Sequence, residues 1–292
     1  MTFQNIRIIV PVDFSKLSSR ALIAANQVAK LFNGSVTPFH AYIPLTDLDG
    51  FHYMGTGLNT KDTLVDIEKV IEKRLNEISA DHLDISVARE GIVGIGNPAH
   101  ALAEESEHYD MVVMSTHGRT GFSRILLGSV AEKVLRLVHK PVLVIENDDT
   151  LTPLKKILVT TDFSENSRAA FAHAKEFAEA SGADIELFHA VIFDDFDSVE
   201  KAEATLNVRR ESLTELANQF FSDIPGKVTT KVVTSNRSAH EAILKYTQEN
   251  PFNLIVIATI GRTGLEYMMM GSTASNVVRT VKTAVLSVNP LK

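Results

Sequence analysis

Arg7-Ile8-Ile9-Val10-Pro11-Val12-Asp13-Phe14-Ser15 reappears later in the chain as Lys156-Ile157-Leu158-Val159-Thr160-Thr161-Asp162-Phe163-Ser164. Each copy is a basic residue, a short continuous apolar run and then Asp-Phe-Ser. An uninterrupted apolar run of this length marks a strand buried on both faces. Behind the first copy, Ala21, Ala25, Val28 and Phe32 recur at helical spacing, with Asn33-Gly34 as a stop signal. The offset that carries Asp13 onto Asp162 also carries Phe39-His40-Ala41 onto Phe188-His189-Ala190. A slightly shorter offset carries Gly118-Arg119-Thr120-Gly121 onto Gly261-Arg262-Thr263-Gly264, and Gly128-Ser129 onto Gly271-Ser272. Two matching stretches with one net length change identify a tandem duplication of a unit of about 145 residues.

The seam falls in the polar run Glu146–Pro153, which reads as an exposed linker between domains at 1–148 and 153–292. Within the first half, strands are expected at Ile8–Val12, Val36–Tyr42, Ile85–Arg89, Met111–Ser115 and Val142–Ile145. Helices are expected after Asp-Phe-Ser, along the stripe Leu64, Ile67, Ile71, Leu75 and Ile78, from Pro98 to about His108, and over Ser129–Val138. The second half repeats this order and ends in a strand at Val285–Val288. Alternating strands and helices predict two tandem α/β domains, each a doubly wound parallel sheet of Rossmann-like type.

Composition narrows the function. The 292 residues are 45% hydrophobic and 22% charged, an ordinary globular balance. A net charge of −7 makes neither nucleic acid nor an anionic membrane the expected partner. The absence of cysteine excludes disulfides, cysteine–zinc sites and a cysteine nucleophile. No apolar run approaches the roughly 20 residues of a membrane span, and the start lacks signal-peptide regions, so a cytoplasmic protein is expected.

In doubly wound sheets ligands sit beyond the carboxyl ends of the strands. Beyond strand four lies Met114-Ser115-Thr116-His117-Gly118-Arg119-Thr120-Gly121, followed by Gly128-Ser129-Val130. Glycines admit close approach of a backbone, and a helix start presents free N–H groups to an anion. Ser129-Val130-Ala131-Glu132 reads as a capping box opening that helix. A phosphate chain held between the Gly118 loop and the Gly128 helix start is one reading; turns and an N-cap are the other. Asp13, after strand one, either accepts from an adenine amine or ribose hydroxyl, or caps the next helix. Gly94-Ile95-Gly96-Asn97-Pro98-Ala99 formally matches a dinucleotide pattern. It follows the third strand of its half rather than the first, and Pro98 reads as a first-turn helix residue. His40 and His189 read as satisfied structural residues, Met268–Met270 as adaptable packing, and Tyr42–Lys61 as a long loop or lid. There is no P-loop, no metal spacing among the histidines, no paired carboxylates and no nucleophile–base–orienter set.

At these residues the chain resembles the universal stress protein family, as two copies over nearly its whole length. The family's nucleotide-binding members carry glycine, two residues, glycine, nine residues, then glycine with Ser or Thr. Ser115 to Gly118, Arg119 to Leu127 and Gly128-Ser129 fit this spacing, with Ser115 replacing the first glycine. Ala258 to Gly261, Arg262 to Met270 and Gly271-Ser272 fit it likewise, with Ala258 in that place. The resemblance implies ATP, with or without magnesium, or ADP or AMP. Adenine and ribose would lie near Pro11, Val12, Asp13 and Ala41. The phosphates would lie near Met114, Ser115, His117, Gly118, Arg119, Gly121, Gly128, Ser129 and Val130. The counterparts in the second half are Thr160, Thr161, Asp162, Ala190, Ala258, Gly261, Arg262, Gly264, Gly271, Ser272 and Thr273.

The expected function is an adenine-nucleotide-binding stress or regulatory protein that acts through conformation and protein partners rather than turnover. The alternatives are a fold-retaining interaction module with empty pockets, or an adenylating or hydrolysing enzyme. The resemblance also implies pairing through the strand that ends each half, giving a pseudo-dimer within one chain and a possible homodimer. The first half is expected to bind more tightly, because Ile260 stands where His117 stands and cannot donate to a phosphate.

Overall fold

The computed structural model describes residues 3–44, 60–116, 127–146, 151–193, 199–261 and 270–290. Density of contacts divides the chain into two compact units. Of the described residues, the amino-terminal unit takes 4–116 and 128–140, and the carboxy-terminal unit takes Phe3, Leu127 and 141–290. The sequence repeat and the compact units thus divide the chain at different places.

In the amino-terminal unit the described strands are β1 (Arg7–Pro11), β2 (Ser35–Tyr42), β3 (Ile92–Ile95) and β4 (Met111–Ser115), in the order β3-β2-β1-β4 and all parallel. Helices α1 (Lys16–Leu31), α2 (Thr60–His82), α3 (Pro98–Ser106) and α4 (Ser129–Leu137) complete it. Ile8, Ile9, Val10, Met111, Val112 and Val113 are buried, as strands covered on both faces require.

The start of this sheet is clipped by Arg7. Its backbone N–H (2.9 Å), Nε (3.1 Å) and Nη2 (2.9 Å) all donate to the Asp110 carboxylate. Desolvation alone would raise the Asp110 carboxyl, but the hydrogen bonds from the Arg7 side chain and backbone together outweigh it and hold it below its usual value. A depressed folded-state value means stability that is present above the ordinary carboxylate range and lost as pH falls through the folded value. Asp110→Asn is therefore expected to cost about 1 kcal/mol at pH 7, since the pair is partly exposed. In urea titrations the gap from the parent protein should narrow between about pH 4 and pH 2. An unchanged gap at low pH would show that the charge contributes nothing.

The third strand differs from the expectation. Ile85–Arg89 is not a strand: Ala88 makes only an isolated bridge to Val36, and β3 lies at Ile92–Ile95. The amides of Val87 and Ala88 are spent on the Asp84 carbonyl, at 3.0 Å each, closing a turn in place of a ladder. The pattern match at Gly94-Ile95-Gly96 therefore begins inside a strand. Gly94 pairs with Ala41, and a Cβ there would come within 2.6 Å of the Phe39 ring. Lys61 belongs to α2 rather than to a loop, and 45–59 of the expected lid lie outside the described residues.

In the carboxy-terminal unit the described strands run β5-β10-β9-β6-β7-β8. They are β5 (Val142–Ile145), β6 (Lys156–Thr160), β7 (Asp184–Ile192), β8 (Val228–Ser235), β9 (Leu254–Ala258) and β10 (Ala284–Val288), with helices α5 (Glu165–Ser181), α6 (Val199–Phe221), α7 (Ala239–Glu249) and α8 (Ser272–Thr280). Five of these strands are parallel. The exception is β5, contributed by the first sequence copy, which pairs antiparallel with β10 through Val142–Ser287, Leu143–Leu286 and Val144–Val285. All four residues of β5 are buried. Phe3 joins the same unit, its ring stacked 5.0 Å from His173 and edge-on to Phe177 at 6.0 Å. Leu151, expected in an exposed linker, is buried, as is Leu154. Glu186 is buried on β7, where Lys156 Nζ lies at 3.2 Å and the Tyr246 hydroxyl donates to it. Burial, then the Glu186 bond, push that phenol well above its usual range.

Candidate functional site

Each sequence copy builds the same turn where its first strand ends. Phe14 (φ 63°) and Phe163 (φ 66°) are left-handed, a costly conformation for a bulky residue. Neighbouring groups hold it in place. The Ser15 amide donates to Asp13 Oδ1 at 3.0 Å, and the Ser164 amide and hydroxyl donate to Asp162 Oδ1 at 2.9 and 2.5 Å. Ser15 and Ser164 then cap α1 and α5, so the aspartates are turn-makers and not the caps one reading of the sequence allowed. The phenyl rings lie against His40 (4.8 Å) and His189 (4.5 Å). His40 Nδ1 donates to the Val12 carbonyl at 2.6 Å and His189 Nδ1 to the Thr161 carbonyl at 2.8 Å, which ties both imidazoles to the turn.

Beside this turn stands a helix whose start carries no side-chain cap. The N-cap of α4 is Gly128 and that of α8 is Gly271, neither with a side chain to offer. The predicted capping box is thus absent: Ser129 is the first helical residue, and with helical backbone its hydroxyl is not placed at the capping position. Gly128 and Gly271 instead donate their own amides to the Thr116 and Thr259 carbonyls, at 2.9 and 2.6 Å. The N–H groups of the next turn remain to receive an anion at the positive end of a nine-residue helix.

In the amino-terminal unit these parts enclose a cavity of about 340 Å³. Pro11, Val12 and Asp13 from the end of β1, Ala41 from β2, Met114 and Ser115 from β4, and Gly128, Ser129 and Val130 from α4 all line it. His117, Gly118, Arg119 and Gly121 lie outside the described residues. The carboxy-terminal unit has a cavity of about 710 Å³, lined at the corresponding strand ends by Thr160, Thr161, Asp162, Ala190, Ala258 and Gly261. Gly271, Ser272 and Thr273 close it at the start of α8, while Arg262 and Gly264 lie outside the described residues, as do Met268 and Met269.

Sequence reasoning missed several wall residues. Pro98 reaches the first cavity from α3, while Thr205 and Arg209 from α6 and Ile243 from α7 reach the second. Their helices show ordinary amphipathic patterns, so nothing local marks them. One polar atom of this region stands apart: among the described residues the Thr259 hydroxyl is buried beside the second cavity with no hydrogen-bond partner. A buried hydroxyl without a partner costs roughly 1–3 kcal/mol. Apolar strand ends, hydroxyls and uncapped helix amides suit a flat base with an anionic tail, so the donor set fits a nucleotide. No group of metal-ligating residues occurs among the described residues.

Comparison with known proteins agrees with this architecture. The sequence profile of the universal stress protein family matches residues 5–146 and 153–289. A universal stress protein of Mycolicibacterium smegmatis is 26% identical over 292 residues, covering 97% of each chain. A universal stress protein of Mycobacterium tuberculosis is 31% identical over 199 residues, 65% of each chain. Among solved structures, a universal stress protein from Archaeoglobus fulgidus superposes with a TM-score of 0.67 at 21% identity, over 99% of this chain and 100% of that one. With two family matches in tandem, Rossmann-like α/β units and the repeated strand-end turn, the chain belongs to the universal stress protein family.

Proposed function

We propose that this protein binds an adenine nucleotide in each of its two cavities and acts through conformation and protein partners rather than by turnover. The observation that carries this is the duplicated cavity: strand ends, a strained Asp-Phe-Ser turn and an uncapped Gly-Ser helix start meet in each unit. ATP is the proposed ligand, with ADP and AMP in the same pose. Any magnesium would arrive with the triphosphate, whose oxygens supply much of its coordination. The antiparallel β5–β10 pairing supports a pseudo-dimeric arrangement of the two sequence copies, because an open edge strand is best resolved by pairing. In this reading the amino-terminal cavity is the tighter one, since the polar His117 corresponds in sequence to Ile260, which lines the other cavity.

Two measurements test the proposal. Denaturing the purified protein and weighing what is released should give an adenine nucleotide. A ligand bound only by the folded state adds about 2.7 kcal/mol at a hundredfold excess over Kd. Millimolar ATP is therefore expected to raise Tm by a few degrees for a Kd on the order of 10 μM. GTP should do less, because the strand-end backbone and Asp13 suit an amine rather than a carbonyl at the purine's six position. Equal shifts from ATP, GTP and inorganic triphosphate would show that no base is recognised.

A further inference from the structure

The second cavity is about twice the volume of the first, and α6 contributes to its wall where α2 does not contribute to the other among the described residues. The addition is chemically specific. Arg209 lines the cavity half-buried, its guanidinium 5.2 Å from the centre of the Phe163 ring, over the turn that follows β6. Among the described residues it makes no ion pair. A guanidinium offers five N–H donors in a rigid fork that matches a carboxylate or phosphate, and stacking on Phe163 holds the fork in place. The counterpart Arg74 lies 4.3 Å over Phe14 but is exposed and does not line the first cavity.

The carboxy-terminal cavity therefore has two separate anion-binding elements. One is the start of α8, beyond the end of β9; the other is Arg209, over the end of β6, the strand hydrogen-bonded to β9. The unpartnered Thr259 hydroxyl lies in the wall that both share. A single phosphate held at the α8 start leaves the Arg209 fork to a second anionic group.

We infer that the carboxy-terminal cavity selects a nucleotide bearing two separated anionic groups, a nucleoside 3′,5′-bisphosphate, with one phosphate at the α8 start and the other on Arg209. This rests on the proposal that the cavities bind adenine nucleotides and assigns the second one a distinct ligand class. The test is calorimetric titration of the full chain with adenosine 3′,5′-bisphosphate and with AMP, which differ by a single phosphate. Arg209→Met keeps the stem over Phe163 and removes the fork. It is expected to weaken the bisphosphate tenfold or more and to change AMP by less than about twofold. Arg74→Met should change neither. Equal weakening of both ligands by Arg209→Met, or no weakening of either, overturns the assignment while leaving nucleotide binding intact. Failure of AMP, ATP and the bisphosphate alike to bind the parent protein overturns the nucleotide reading itself, and this inference with it.

Discussion

Leu143→Ala is expected to destabilise the carboxy-terminal unit by about 2–5 kcal/mol, although Leu143 belongs to the first sequence copy. The side chain is fully buried in β5, and its backbone sits opposite Leu286 in the antiparallel ladder to β10. Truncation removes apolar burial and leaves a cavity in a strand whose four residues are all buried. Hydrogen exchange resolved by peptide reads the effect directly. Protection should fall across β10 and β9, while β1 and β2 keep theirs. Loss of protection confined to β1 and β2, with β10 unchanged, would show that β5 does not support this sheet.

Gly271→Val is expected to remove nucleotide binding from the carboxy-terminal cavity, a loss of a hundredfold or more, and to cost about 1–3 kcal/mol of stability. A Cβ at position 271 would stand 2.9 Å from the Thr259 carbonyl oxygen, which already accepts the Gly271 amide at 2.6 Å. The carbonyl is backbone and cannot swing aside, so the start of α8 must move and its anion-binding amides move with it. Gly271→Ala should show the same two losses at smaller size, because the offending atom is the Cβ itself. Calorimetry with ATP and urea denaturation measure the two effects separately. A Val variant that kept parental affinity and stability would show that the helix start has room the structure denies it.

These two positions show what the sequence made legible. The strands β1, β2, β4 and β5 announce themselves as apolar runs, and the repeat fixes the fold twice over. The pattern around Gly271 points to closeness to a ligand, whereas the close approach is first to the chain's own Thr259 carbonyl. The place of β3 is hidden because Gly94, with no side chain under the Phe39 ring, dilutes its apolar pattern, while Ile85–Val87 imitates an alternating strand and is a turn. Ser129 imitates a cap because a serine before an apolar helix signals one, and only backbone geometry moves the cap to Gly128. Arg209, Thr205 and Phe3 carry no local signal. Their roles depend on contacts between distant segments, which no periodicity records.

The antiparallel seating of β5 has a consequence for the history of the chain. After a duplication, two copies ordinarily remain free to part again by deletion or gene fission. Here the last strand of the first copy has become a piece of the second copy's sheet, and Phe3 a piece of its aromatic packing. A fission at the seam would send both pieces away with the wrong fragment. The fusion thus acts as a ratchet: mutations in either copy are selected in the presence of the other, so the two cavities can drift toward different ligands without the copies ever becoming independent proteins.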